Sequence, residues 1–509
     1  MLSIVNSFGL NGIDGYMVKV EIDISKGLPG FDIVGLVGTA IKESKERVKS
    51  AIKNSALMYP TTKVTVNLAP ADTKKDGPIY DLPIAIGILK AHNQINESVK
   101  DYIILGELGL DGSIKKINGV MPILIAARLQ GYKNFILPKE NMVEASFIEG
   151  ITVYGVQSLK ETVAFLNKEI SIEPVAYKEY KDIVSEYKLK HDFKFVKGQE
   201  KAKRALEIAA AGGHNVIMIG PPGSGKTMLA KAFPTILPTL SFEEALEVTK
   251  IHSIAGTLDG KDGIITRRPF RAPHHTATTL SLTGGGRLAK PGEISLAHTG
   301  VLFLDEMPEY GRNTIETLRQ PLEDGVITIS RVETSVEYPA RFTLIGSMNP
   351  CPCGNYGSTK NECRCTPEQI RKYLNKLSGP IMDRIDMHIE VDSLEYTKLV
   401  DTTESESSAD IKLRVDKARQ IQQARFKSCG IFNNAEMSDQ EVKTYCAVSK
   451  ESSDMLSFAF DKLHLSARAY NRILKVARTI SDLNGDVDIT DDAIMEAISY
   501  RTLDNKYWD

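Results

Sequence analysis

The sequence predicts a multidomain α/β protein, and three observations carry that reading. At 509 residues the chain exceeds what a single hydrophobic core serves. Near its middle the apolar run NVIMI leads into the Gly-rich turn GPPGSGKT and then a helix-like stretch, the opening of a parallel-sheet nucleotide domain. The regions on either side differ in texture from that centre and from each other.

Residues 1–165 alternate strand-like runs (YMVKVEIDI, KVTVNLA, YIILGEL, NFILP) with helical ones (TAIKESKERVKSAIKNS, MPILIAARLQG), an α+β pattern. Residues 166–194 are rich in Lys, Glu and Tyr and read as a connector. Residues 195–395 hold the nucleotide core, residues 396–412 an exposed linker of low hydrophobicity, and residues 413–509 a helical region with 3.6-residue periodicity. No repeat indicates a solenoid.

Composition is that of an ordinary globular protein: 42% hydrophobic, 25% charged, net charge −2. That charge gives no global attraction to nucleic acid or membrane, so any polyanion surface must be local. The N-terminus shows no secretory pattern and no segment reaches the length of a membrane span, so a cytoplasmic protein without membrane contact is expected. In that compartment thiols stay reduced, and clustered cysteines suggest a metal.

The strongest local signal is Gly220, Pro221, Pro222, Gly223, Ser224, Gly225, Lys226 and Thr227 between a strand and a helix. Such a turn surrounds phosphates with backbone N–H groups at a helix N-terminus. Lys226 is placed to reach the β- and γ-phosphates of ATP, and Thr227 to hold Mg²⁺. A second apolar strand, GVLFLDE, delivers Asp305 to the metal side and Glu306 as the group that polarises the attacking water. A third, FTLIGSMN, puts Asn349 beside them to orient water or sense the γ-phosphate.

These residues resemble those of AAA+ ATPases. The segments RPFRAPHHTATTLSLTGGG, PGEISLAHTGVLFLDEMPEY, LRQPLEDG and MNPCPCG resemble the ComM/YifB family of magnesium-chelatase-like AAA+ proteins over essentially the whole chain. The resemblance implies a self-assembled ring, a homo-hexamer, with ATP between subunits. It also implies a trans-acting finger at Arg384, in SGPIMDRIDMHIEV, and a second sensor at Arg468, with Arg472 the spare, in a C-terminal lid like that of magnesium chelatase.

The N-terminal region, with KKDGPIYDLPIAIGIL and a later GELGLDGSIKKINGVMPILIAARLQG, resembles the proteolytic domain of Lon. Where that domain carries its nucleophilic Ser this chain has Ile79, and Val120 to Ile123 replace the lysine-bearing stretch. Neither a hydroxyl nor an activating amine is supplied, so a Lon-like fold without peptidase chemistry is expected.

Two segments are candidates for a DNA-facing surface. One clusters Arg267, Arg268, Arg271, His274 and His275 around Phe270. The other, LEDGVITISRVETSVEYPARF, reads as a hairpin turning near Glu333, and the family resemblance implies that it projects into a ring pore with Arg331 pointing there. The function implied by the family resemblance is an ATP-driven DNA motor, a branch-migration helicase acting on branched or forked DNA in recombination during natural transformation. The alternative is a chelatase-type ATPase that remodels a protein partner, and a Lon-type protease is disfavoured by Ile79. Finally, Cys351, Cys353, Cys363 and Cys365 offer four thiolates in Cys-x-Cys pairs, a set that wraps a structural Zn²⁺. Cys429 and Cys446 read as packing residues.

Overall fold

The structure, a computed structural model, describes residues 1–183, 191–259, 262–286, 289–330, 335–358, 361–393, 405–427, 430–463, 465–503 and 507. Its N-terminal part is built on a mixed seven-stranded sheet. Strands Leu2–Asn11 and Asp14–Ser25 form a long antiparallel pair, and Lys63–Ala69 adds antiparallel to the second. Alternation along these strands buries Val5, Val18, Val20, Ile22, Val64, Val66 and Leu68 completely. The helix Asp81–Ala91 is apolar almost all round and correspondingly buried. Its first residue, Asp81, is a buried carboxylate that Arg47 binds through Nε at 2.7 Å and a second guanidinium nitrogen at 3.1 Å. Ile79 packs among the apolar clusters of this region, and Met121 and Ile123 are fully buried.

The second sheet has five parallel strands in the order Phe270–Arg271, Val301–Leu304, Thr343–Met348, Val216–Ile219, Met387–Glu390. Val216–Ile219 and Val301–Leu304 are buried at every position, as parallel strands covered on both faces must be. Three of these strands, side by side, end at Gly220, Asp305 and Asn349. Ligands of open parallel sheets bind at that carboxyl edge.

The C-terminal helices Ser408–Arg425, Asp439–Tyr445, Lys450–Lys462, Ala467–Asn484 and Asp491–Ser499 do not form a core of their own. Ile411, Val415, Ile473 and Ile494 share one apolar cluster with Leu206, Val216 and Phe233 of the nucleotide core. The helix Ser408–Arg425 also begins inside the stretch read as linker. Ser407 caps it, accepting from the Asp410 N–H at 3.2 Å, and Ile411 is pulled into the core. Cys446 is buried in the same cluster, as expected of a packing residue; Cys429 lies outside the described residues.

The two sheet regions meet through a buried polar contact. In the first turn of helix Val120–Leu129 the Met121 N–H donates to Glu144 Oε1 at 2.9 Å; the same oxygen accepts from the Ser253 hydroxyl. Ser253 lies in helix Phe242–Ala255 of the nucleotide core, and its carbonyl accepts from the Gly119 N–H at 3.1 Å. Gly12, at the turn between the first two strands, sits against the hairpin Val326–Ser330/Ser335–Pro339. A Cβ at Gly12 would lie 2.4 Å from Val336 Cγ1, so only glycine fits. Among the described residues no helix is long and apolar enough to cross a membrane.

Candidate nucleotide site

The phosphate turn leaves strand Val216–Ile219 at Gly220, whose N–H donates to the Met348 carbonyl at 3.2 Å and ties it to the neighbouring strand. Gly223 and Gly225 take positive φ, 76° and 94°, and a Cβ at either would meet no atom within 4 Å. The backbone there faces an open cradle, which suits a phosphate held by N–H groups. The Lys226 ammonium folds back over the turn, donating to the carbonyls of Gly220 at 2.7 Å and Pro221 at 2.9 Å and to Asn349 Oδ1 at 3.4 Å. Burial pulls it below the usual lysine range, opposed by the carboxylates of Asp305 and Glu306.

Thr227 Oγ donates to Asp305 Oδ2 at 2.9 Å. A hydroxyl and a carboxylate side by side, with hard oxygen donors only, fit Mg²⁺. The other carboxylate oxygen of Asp305 accepts from the Ser347 hydroxyl, which in turn accepts from the Glu306 N–H at 3.3 Å. Glu306 has φ 50°, a left-handed conformation unusual for a non-glycine residue. Its carboxylate is 56% exposed and stands 3.8 Å from His275 Nδ1, whose ring packs on His274 at 4.1 Å. The structure thus brings together Lys226, Thr227, Asp305, Glu306 and Asn349, all drawn from the carboxyl edge of one sheet.

Arg384 and Arg468 are elsewhere. The Arg384 carbonyl accepts from the side chain of Asn215, the residue before strand Val216–Ile219, at 3.3 Å. Arg384 therefore sits at the amino edge of the sheet, opposite the phosphate turn. Its buried guanidinium donates to the Pro380 carbonyl at 2.8 Å and to Glu323. Arg468 reaches the other Glu323 oxygen at 3.3 Å. Arg472, the spare, pairs with buried Asp386 at the same edge, next to His214, and is committed to holding the C-terminal helices on the core.

The arginine-rich segment departs from expectation. Arg268 donates to the carbonyls of Pro238 at 2.6 Å and Thr299 at 2.7 Å and forks onto Glu244 at 3.0 and 3.1 Å. Arg271 forks onto Glu293 at 2.6 and 2.8 Å, and Phe270 stacks on Phe303 inside the sheet. These groups are spent on internal partners, so they do not form the open cation–aromatic surface anticipated. The hairpin expected from alternation is present, but Arg331 and Glu333 lie outside the described residues.

Sequence reasoning missed Ser347 and Glu323, and offered His275 for a DNA-facing surface rather than as a neighbour of Glu306. Ser347 was findable, since it is a hydroxyl two residues before Asn349, near the tip of a fully buried strand. His275 and Glu323 acquire their roles from partners distant in sequence.

The four cysteines are brought together. Cys351 Sγ is 3.4 Å from Cys353 Sγ and 3.7 Å from Cys363 Sγ, the latter two are 3.6 Å apart, and all four ligand atoms lie within 4.8 Å of one another. Sulfurs about 2.3 Å from one tetrahedral centre stand roughly 3.8 Å apart, whereas a disulfide holds them near 2.05 Å. The set has the shape of a metal centre.

Fold and site define a P-loop protein of the magnesium-chelatase-like AAA+ class. The family described as "Magnesium chelatase, subunit ChlI" matches residues 192–399, "Subunit ChlI of Mg-chelatase" residues 20–141, and "Magnesium chelatase, subunit ChlI C-terminal" residues 405–501. The chain is 43% identical to Competence protein ComM of Haemophilus influenzae over 507 residues, 99% of this chain and 98% of that protein. It is 44% identical over 505 residues to the protein YifB of Escherichia coli, 99% and 97% of the two chains. The 38 kDa subunit of magnesium chelatase from Cereibacter sphaeroides is 25% identical over 174 residues, 31% of this chain and 52% of that protein. The chain belongs to the ComM/YifB family of magnesium-chelatase-like AAA+ proteins.

Proposed function

We propose that the protein is an ATP-driven motor that works as a ring, a homo-hexamer, on branched or forked DNA, migrating branch points during recombination of incoming DNA. Bound Mg-ATP supplies the scissile γ-phosphoryl group. Lys226 and the turn's N–H groups hold the phosphates, and Thr227 and Asp305 hold the metal. Glu306, exposed at the lip of the cradle, accepts the proton of the attacking water, and Asn349 orients that water. Ser347 positions Glu306 through its backbone N–H.

The observation that carries the ring reading is the separation of the machinery between two sheet edges. Arg384 and Arg468 share Glu323 at the amino edge, while the phosphate turn opens at the carboxyl edge. From there Arg468, more than half exposed, serves the nucleotide of an adjacent chain, and Arg384 joins it by leaving Pro380 and Glu323 for the phosphates. The competence role rests on the full-length likeness to a protein named for competence. The N-terminal region is a Lon-like module without peptidase chemistry, used for assembly or DNA contact. We also assign a structural Zn²⁺ to Cys351, Cys353, Cys363 and Cys365; four thiolates leave no open coordination position for catalysis.

A chelatase-type role in remodelling a protein partner is the second reading, favoured by the match to chelatase subunits across core and lid. Steady-state ATP hydrolysis without DNA and with single-stranded, duplex and four-way-junction DNA separates the two. Junction-stimulated turnover, lost in Glu306→Gln, supports the DNA motor. Equal turnover on every DNA rejects it in favour of a protein partner.

A further inference from the structure

The cysteine loop is part of the wall of the phosphate turn. It departs from strand Thr343–Met348 immediately after Asn349, the residue whose side chain meets Lys226. Cys351 is fully buried, and the Gly354 N–H donates to its carbonyl at 2.9 Å, closing a tight turn. Gly354 has φ 79° and lies flat against the phosphate turn: a Cβ there would stand 2.5 Å from Pro222 Cδ and 3.0 Å from Pro222 Cγ. Pro222 has a rigid ring, so its position and that of Gly354 fix each other. The Tyr356 N–H donates to Cys351 Sγ at 3.3 Å, the kind of outer hydrogen bond that orients a metal thiolate. Beyond it Tyr356 packs edge-on against Tyr507, whose hydroxyl donates to Glu390 Oε1 at 3.0 Å, on the strand at the other side of the phosphate-turn strand.

We propose that the zinc held by these cysteines fixes the shape of the nucleotide cradle, so that metal occupancy sets the affinity for ATP. This rests on the zinc assignment above. With the metal bound, Cys351, Cys353, Cys363 and Cys365 pin the loop, Gly354 braces Pro222, and the turn's N–H groups stay aligned. Without it, a polar loop with no core of its own loses its tether and Pro222 loses its brace. The coupling needs no contact between zinc and nucleotide.

The test uses the full-length protein in reductant, with zinc measured by elemental analysis and the Kd of a Mg²⁺-bound, non-hydrolysable ATP analogue by fluorescence titration. Wild type should carry one zinc per chain. Cys363→Ser should lose it and bind the analogue at least about tenfold more weakly. Gly354→Ala keeps all four thiols, so it should retain zinc and still bind several-fold more weakly. Wild type without zinc, or with iron instead, overturns the zinc assignment and this inference with it. One zinc per chain but wild-type Kd in both variants overturns the coupling and leaves the zinc standing. If Cys363→Ser does not fold, wild type stripped of zinc by a chelator takes its place, and unchanged analogue affinity after zinc loss contradicts the coupling.

Discussion

Arg384 and Arg468 bind the two oxygens of a single carboxylate, Glu323, at the edge of the nucleotide sheet farthest from the phosphate turn. Two cations this close are held together by one acid, whose carboxyl the Arg384 hydrogen bond keeps below the usual carboxylate range. Arg468 is more than half exposed there, whereas the Arg384 guanidinium is buried against Glu323.

Replacement of Arg384 by lysine should abolish hydrolysis while leaving nucleotide binding intact. Lysine keeps the charge but cannot donate to the Pro380 carbonyl and Glu323 with one planar fork. The expected loss in turnover is about 10³–10⁵-fold, with analogue affinity within a few-fold of wild type. A large loss of binding instead would place Arg384 in a structural role.

Glu306→Gln should bind ATP normally and hydrolyse it about 10²–10⁴-fold more slowly, because the amide fills the same space without accepting a proton. Ser347→Ala should lower turnover less. It removes the hydroxyl that bridges Asp305 and the Glu306 N–H and leaves both carboxylates in place. Single-turnover kinetics at saturating ATP check both.

The contact between N-terminal region and nucleotide core should depend on Glu144 as an acceptor more than as a charge. Burial raises the pKa of this carboxyl group despite hydrogen bonds from Ser253 and Met121. Glu144→Gln keeps an oxygen for those donors and should change stability by less than about 1 kcal/mol, whereas Glu144→Ala strands them and should cost about 2–4 kcal/mol. Denaturant unfolding of the two variants, compared with wild type, reads the difference.

Docking of the C-terminal helices should weaken on mild acidification. His214 is fully buried, with Nε2 2.8 Å from the Thr479 hydroxyl, and burial lowers its pKa to about 4. Asp386 favours the protonated ring, while Arg472, Lys475 and Arg419 oppose it. A histidine whose folded pKa is depressed resists a proton that the unfolded chain accepts below about 6.5. Stability is therefore lost as pH falls from there toward 4, on the order of 2 kcal/mol by pH 5. Thermal unfolding at several pH values should show this slope, and His214→Asn should flatten it.

Much of the site was legible because its signals are local. Gly220 to Thr227 form one turn, and Asp305, Glu306 and Asn349 end apolar strands whose burial forces their tips to the sheet edge. The cysteine cluster was legible for the same reason, its four thiols lying within one loop. What sequence could not supply were partners fixed by tertiary packing. Arg268 and Arg271 read as free cations, since nothing local reveals that Glu244 and Glu293 neutralise them. The merged core of nucleotide domain and C-terminal helices was hidden too, because Ile411 and Ile473 show an apolar helix face without naming what it covers.

The claim that a neighbouring chain completes each site is tested most directly by mixing two inactive variants. Lys226→Ala cannot hold the phosphates, and Arg384→Ala lacks the finger. If the finger acts across the interface, mixed assemblies contain sites with an intact Lys226 on one chain and an intact Arg384 on the next, and ATP hydrolysis should reappear at a substantial fraction of wild type. Mixtures as inactive as either variant alone, although shown to co-assemble, would contradict the account.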